Sequence, residues 1–313
     1  MHSSTSNSND QTNSHTYRNA ILLALAMIVL LLACTEAAFR FGFSRISRIE
    51  SRTMLEHQNA IAVRSGINAK PTILVLGNSL LLEGVDFEQL KLQLDPWAKP
   101  TRFVIEQTAF LDWSYGIKRL LSDGAKPDRI ILCLNLPQFV ANSIRGDHVA
   151  FYLYRTSDLL NVGKDSGYDL TKTSGLLFAR YSLFFAGRNS LRNFVLNRLQ
   201  PAYGELLHGF TTASAPDLND EKVLQLAAPR LEQLRKLCNE NGIQFAFLLP
   251  PGFGDGSQGL IQAGINSATT VLAPVALNEW DKDQFRDGFH LSKAGSERFT
   301  KLVSEKVRLT LNQ

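Results

Sequence analysis

The sequence is poor in several things that other folds depend on. Three cysteines in 313 residues, at 34, 133 and 238, exclude a disulfide framework and a Cys-rich zinc site. Cys133 falls inside an apolar run and Cys238 shares a helix face with Leu231 and Leu234, so both read as buried apolar fillers. The chain has no internal repeat, which removes repeat architectures, and no glycine-rich phosphate loop, which removes the common nucleotide-binding signatures. Surplus charge is also scarce. The net charge is +4, and four arginines (Arg40, Arg45, Arg48, Arg52) sit in one short stretch, leaving the rest near neutral. That argues against nucleic acid as a partner, which calls for a strongly basic face. With 44% hydrophobic and 20% charged residues the chain is not a disordered one. Its length suits one large domain or two modest ones, ample for a full core.

What the sequence does have is an uneven apolar distribution. Residues 1–18 are Ser-, Asn- and Thr-rich and read as a disordered tail. Ala20–Ala33 is then unbroken apolar, and Ala37-Ala38-Phe39 extends it past Cys34-Thr35-Glu36. From 20 to 39 a helix rises about 30 Å, enough to span a hydrocarbon core. Glu36 and Arg40 are spaced to pair on one helix face at the interface. The segment reads first as a single-pass anchor over 19–40. A cleaved signal peptide is a second reading, and a lipoprotein signal at Leu31-Leu32-Ala33-Cys34 a third. Arginines on the C-terminal flank would, by the positive-inside rule, keep the following domain in the cytoplasm, although large domains translocate regardless of charge. Residues 41–70 read as a helical stalk or linker, and 71–313 as the folded domain.

Within that domain Thr72–Gly77 is a continuous apolar run between Pro71 and a turn, the mark of a central parallel strand. Asp86 opens a helix with a capping-box pattern to Gln89. A strand over 102–106, a helix capped by Asp112, and a strand over 129–134 follow. The strand–helix alternation predicts an α/β fold, a three-layer αβα sandwich around a parallel sheet of about five strands. Residues 139–215 break the rhythm and read as a helical insertion rich in aromatics and arginine. After a loop over 211–220, Asp220 caps a helix ending near Gly242. Strands over 243–249 and 270–275 and a closing helix from Lys293 to Leu311 complete the reading.

Two short motifs carry chemistry. Gly77-Asn78-Ser79 follows the first strand directly, where open parallel sheets bind ligands. Asp287-Gly288-Phe289-His290 precedes the last helix, and an Asp three residues before a His can meet imidazole Nδ1, leaving Nε2 free as a general base. None of the other five histidines has this arrangement. Alone, the first motif is an ordinary turn and the second a helix-capping Asp beside a His; a metal pair there lacks further ligands.

Together they resemble the SGNH/GDSL hydrolase superfamily. Gly77-Asn78-Ser79 resembles its first block, Asp287-Gly-Phe-His290 its last, and the HLSKAGSERFTKLV that follows looks like its closing helix. The resemblance covers about residues 72–138 and 221–313. It implies Ser79 as nucleophile, His290 as base and Asp287 as the residue that orients His290, with the Ser79 backbone N–H and the Asn135 amide as oxyanion donors. The middle blocks depart from the pattern. Gln107-Thr108-Ala109-Phe110 stands where a glycine is expected after the second strand, and Cys133-Leu134-Asn135-Leu136 replaces Gly-x-Asn-Asp. The leader resembles the membrane-anchored branch, which includes proteins of polysaccharide O-acetylation. That resemblance implies an esterase or O-acyltransferase acting on acetyl esters of a cell-envelope or exported polysaccharide, without cofactor or metal. It also implies an extracytoplasmic domain on the cytoplasmic membrane and a membrane-embedded acyl-transfer partner. The alternative is a non-catalytic scaffold that binds glycan or partner proteins through the insertion.

Overall fold

The structure, a computed structural model, describes residues 8–66, 70–199 and 218–311. Helix α1 (Ser8–Ala38) runs on through a π-helical turn (Phe39–Phe43), and α2 (Arg48–Ala62) follows. Thereafter come β1 (Thr72–Gly77), α3 (Ser79–Gly84), α4 (Phe87–Leu94), β2 (Lys99–Val104), α5 (Phe110–Ser122), β3 (Arg129–Cys133) and α6 (Leu136–Val140). Four helices, α7 (Asp147–Leu153), α8 (Leu159–Asp165), α9 (Leu170–Tyr181) and α10 (Leu183–Leu199), make the described part of the insertion. The chain returns through α11 (Asp220–Asn239), β4 (Gln244–Leu248), α12 (Ser257–Asn266), β5 (Thr270–Leu272) and α13 (Lys293–Leu311).

All five strands are parallel, in the order β2-β1-β3-β4-β5. Beyond their first residues, Thr72, Arg129 and Gln244, strands β1, β3 and β4 carry no polar side chain, because both faces are covered. Leu74, Leu76, Ile130, Leu132 and Phe247 face the side packed by α5 and α11. Ile73, Val75, Ile131, Cys133 and Leu248 face the side packed by α4 and α13. This is the three-layer sandwich expected. The insertion joins the first of these cores through Phe139, Val149, Leu153 and Leu176, so it extends the main domain.

Several local expectations need correction. Helix α1 begins at Ser8, so much of the stretch read as a disordered tail is helical, as an apolar helix propagates cheaply into its polar flank. The stalk is no free linker. Helix α2 lies along β2, where Glu56 accepts from the Arg102 guanidinium at 2.7 and 2.9 Å and from the Val104 N–H at 2.9 Å. That carboxylate caps the exposed edge of the sheet, a place where unpaired N–H groups invite misassociation. β2 itself starts at Lys99, earlier than expected. Asp112 acts from the third helical position and takes the Ala109 N–H at 2.9 Å. Asn219, not Asp220, caps α11; Asp220 instead accepts the Gly259 N–H at 2.7 Å. Most of the loop expected over 211–220 lies outside the described residues.

Helix α1 is long and apolar enough to cross a membrane, and none of its apolar stretch is buried among the described residues. The expected Glu36–Arg40 pair forms, at 2.6 Å.

Candidate active site

Sheet order places the site. The chain leaves β1 toward β2 on one side and reaches β3 on the other, so β1 and β3 flank the topological switch point, where open sheets form a crevice beyond their carboxyl ends. Ser79 follows β1 and Asn135 follows β3 at that crevice. Gly77 lets the turn close, since a Cβ there would lie 2.7 Å from the Cys133 carbonyl oxygen and 3.0 Å from Leu81. Gly77→Ala is expected to cost about 1–3 kcal/mol through overpacking, read as a lowered urea midpoint with an unchanged slope.

Asn78 is fully buried and fixes the turn from three directions. Its Oδ1 accepts the Leu80 N–H at 3.0 Å, and its Nδ2 donates to the Thr108 carbonyl at 3.0 Å and to Gln138 Oε1 at 2.7 Å. Gln138 in turn gives its N–H to Asn135 Oδ1 at 3.0 Å. The turns after β1, β2 and β3 are thereby cross-linked by one buried amide and one glutamine. Asn78 stands out in the sequence only as the middle of the Gly77-Asn78-Ser79 motif, and Gln138 carries no signal.

The second motif folds as a tight loop closed by an isolated bridge between Phe285 and Leu291 and by the Arg286 N–H on the His290 carbonyl at 2.8 Å. Gly288 holds φ +76°, open to glycine at no cost. Asp287 Oδ1 accepts the backbone N–H groups of Phe289 and His290 at 3.0 and 2.7 Å, while Oδ2 meets His290 Nδ1 at 2.9 Å. His290 Nε2 lies 3.1 Å from Ser79 Oγ. Partial burial pushes the Asp287 carboxyl up, but the hydrogen bonds from His290 and Phe289 outweigh it and hold the group well below the usual carboxylate range. Arg286 bridges to Glu83 on α3 at 2.7 Å, tying the loop to the helix that begins with Ser79.

The other histidines differ in kind. His57 and His148 are pushed by burial down to about 4 and stay neutral. His208 lies outside the described residues. Among the described residues no cluster of three or more His, Cys, Asp or Glu is arranged to hold a metal ion.

Beside Ser79 opens a cavity of about 460 Å³, within the usual range for small-molecule sites, lined by Leu80, Asn135, Leu136, Phe253, Leu277 and Phe289. Asn135 uses its oxygen as the cap of α6, which leaves the amide nitrogen as its remaining donor. At the second block, Gln107 adopts φ 61°, the left-handed conformation that glycine takes most easily. Its side chain accepts a hydrogen bond from Arg145 of the insertion.

No family model and no curated protein matches the chain. Among solved structures it is similar to a crystal structure of TesA, at 12% identity and a TM-score of 0.36 over 76% of this chain and 98% of that one. It is similar also to a GDSL-like lipase from Bacteroides thetaiotaomicron VPI-5482, at 10% identity and a TM-score of 0.40 over 84% and 96%. Likenesses at this distance carry no argument of their own. The chain's own topology is more specific: five parallel strands in this order, a Ser after β1, an Asn after β3 and an Asp-x-x-His before α13. The fold is SGNH-like. Within such a fold the two short motifs, 211 residues apart between Ser79 and His290, meet at hydrogen-bond distance.

Proposed function

We propose that the chain is a membrane-anchored SGNH-type serine esterase or O-acyltransferase acting on acyl esters, acetyl by the resemblance, of a cell-envelope or exported polysaccharide. The observation that carries this reading is the continuous relay from Asp287 Oδ2 through His290 to Ser79 Oγ, at 2.9 and 3.1 Å. In the proposed reaction Ser79 Oγ attacks the acyl carbonyl carbon while His290 Nε2 takes its proton. The oxyanion forms against the Ser79 N–H and the Asn135 amide. Collapse expels the sugar alkoxide, which takes the proton back from His290. Water or a second sugar hydroxyl, deprotonated by His290, then attacks the acyl-serine; the bond from the acyl carbon to Ser79 Oγ breaks, Oγ takes the proton from His290, and acid or a new ester leaves. Asp287 keeps the proton on Nδ1 throughout, so Nε2 always faces Ser79.

A glycan substrate is supported by a second, polar cavity of about 630 Å³ between α7, α9 and α10. Arg145, Lys172, Arg188 and Arg192 stand on its wall against Asp147, which pairs with Arg188. This surplus of cations suits an acidic polysaccharide, and Arg145 links the cavity to Gln107 beside the catalytic edge. The proposed location is the outer side of the cytoplasmic membrane, with α1 as the anchor and a membrane-embedded acyl donor as partner.

A fluorophosphonate probe tests the reading. Wild type should be labelled at Ser79 and the Ser79→Ala variant should not; a wild type that is never labelled and cleaves no simple acetyl ester refutes it. That outcome would favour the second reading, a non-catalytic scaffold that binds glycan or partner proteins, which the incomplete middle blocks support: Gln107 in place of the expected glycine, and Cys133 and Leu136 in place of the Gly and Asp of Gly-x-Asn-Asp. The oxyanion role of Asn135 has its own test. Asn135→Asp keeps the oxygen that caps α6 but replaces the amide donor with a carboxylate. Its kcat should fall by about 10²–10³ with the melting temperature little changed.

A further inference from the structure

We infer that the corner between α9 and α10 is seated in the headgroup layer of the membrane spanned by α1, and that this contact turns the Ser79 edge of the sheet away from the bilayer. The inference rests on the reading of α1 as a retained anchor.

Helix α1 serves as a depth ruler. Glu36 lies three residues beyond the end of the unbroken apolar run at Ala33, which is about 4.5 Å along the helix axis. A carboxylate at that depth sits where the hydrocarbon core gives way to headgroups. Its ligands come from the corner: Ser182 Oγ donates to Oε2 at 2.7 Å, the Phe184 N–H to Oε2 at 3.0 Å and the Leu183 N–H to Oε1 at 2.9 Å. These are the first free N–H groups of α10, capped by a residue 147 positions away from Leu183. Arg40 completes the shell at 2.6 Å. Residues 182–184 are therefore held at the depth of Glu36. Gly187 and Phe184 pack the same way against the ring of Phe39, the last residue of the apolar segment.

An independent observation fits this placement. The side chains around the corner are large, apolar and open: Phe178 is 61% exposed, Tyr181 60% and Phe41 67%. On a surface in water such a group is an unexplained patch. At a membrane boundary it is the expected aromatic belt, in which Tyr places its ring among the acyl ends and its hydroxyl among the headgroups.

The direction of α9 then orients the domain. Tyr168, just before α9, lies close to Gly146, whose neighbour Arg145 gives its N–H to Asp112 at the start of α5. Helix α10 leaves the corner and runs back beside α9 to that same end, where Arg188 pairs with Asp147 next to Gly146. Helix α5 starts at the carboxyl end of β2, on the catalytic edge, and runs toward the opposite edge. The membrane-facing corner is thus at the far end of the domain from Ser79, separated by the length of α9, about 18 Å. A substrate reaches Ser79 from the aqueous side.

The test uses the full chain in phosphatidylcholine–phosphatidylglycerol vesicles. In a Cys34→Ala background, cysteines introduced by Phe178→Cys or Tyr181→Cys are labelled with an environment-sensitive dye; Cys133 and Cys238 are buried. Both dyes should emit to the blue and lose most of their emission to a lipid carrying a nitroxide near its headgroup, but not to an aqueous nickel quencher. A dye at Leu170→Cys, the opposite end of α9, should show the reverse. A dye at Ile28→Cys reports the anchor separately. If it is quenched by lipid while 178 and 181 behave like 170, the anchor stands and the seated corner is wrong. If 178 and 181 are shielded from both quenchers, a protein contact covers them and the inference is again wrong. If Ile28 itself meets water, the anchor reading fails and takes the inference with it. Tyr181→Cys guards against a folding failure at 178, and probe labelling of Ser79 reports the catalytic reading independently of all these outcomes.

Discussion

Ester cleavage by the Ser79→Ala variant is expected to fall by about 10⁶-fold in kcat, the size of effect seen when a serine hydrolase loses its nucleophile. The geometry says why so little would remain. His290 Nε2 has Ser79 Oγ as its hydrogen-bond partner, and His290 Nδ1 is already committed to Asp287. Among the described residues Ser79 supplies the hydroxyl bonded to the His290 ring. His290→Ala should cost nearly as much, and the double variant hardly more than either, because the two side chains act as one unit. Asp287→Asn makes the sharper test. The Asn oxygen can still accept the Phe289 and His290 N–H groups that now bind Oδ1, so the loop keeps its shape. The amide nitrogen, however, faces Nδ1 as a donor and forces the ring proton to Nε2, where it blocks proton uptake from Ser79. A loss of about 10⁴-fold in kcat with only a small drop in melting temperature, from the lost charge on the loop, is expected. Comparable losses of activity and of melting temperature would mean that Asp287 only holds the loop.

How far the sequence reveals this arrangement depends on which residues carry each contact. Strands β1, β3 and β4 are legible because burial on both faces demands continuous apolar runs. The start of β2 is not, because Lys99 and Pro100 lie on an edge strand where polar side chains reach solvent. Helix α2 reads as a stalk because the residues it buries are Glu50, Thr53, Glu56 and Ala60, which make no apolar stripe. Its docking is electrostatic, through partners 46 and 54 residues away. Ser79, Asp287 and His290 are legible because spacing within each motif is local and the pairing of the motifs is specific. Gln138 is not, since its role exists only once three turns converge. The left-handed backbone of Gln107 is equally hidden, because glutamine gives no sign of it.

Asp112→Ala is expected to destabilise the domain by about 4 kcal/mol, a large part of the total stability of an ordinary domain. The carboxylate is completely buried and holds together the start of α5 and the insertion. It accepts the Ala109 N–H at 2.9 Å, the Arg145 N–H at 3.0 and 3.1 Å, and the Tyr154 hydroxyl at 2.5 Å. Alanine leaves the buried Ala109 N–H and Tyr154 hydroxyl, and the part-buried Arg145 N–H, without an acceptor, the buried ones each costing about 1–3 kcal/mol before any water enters. The same burial gives Asp112 a pH signature. Loss of solvent raises its carboxyl from 3.8 to about 6, against the lowering effect of its hydrogen bonds from Tyr154, Ala109 and Arg145. An acid whose folded value is raised stabilises the folded state while protonated. That contribution is complete below about pH 4, declines as the pH rises, and is gone above about pH 6. The decline amounts to about 3 kcal/mol over that window. Asp287 acts in the opposite sense at lower pH, so the signature is isolated by difference. Urea melts of wild type and Asp112→Asn between pH 4 and 7 should show wild-type stability falling relative to the variant as the pH rises. Parallel stability curves would mean that Asp112 stays ionised across the whole range and that its donors fully compensate its burial.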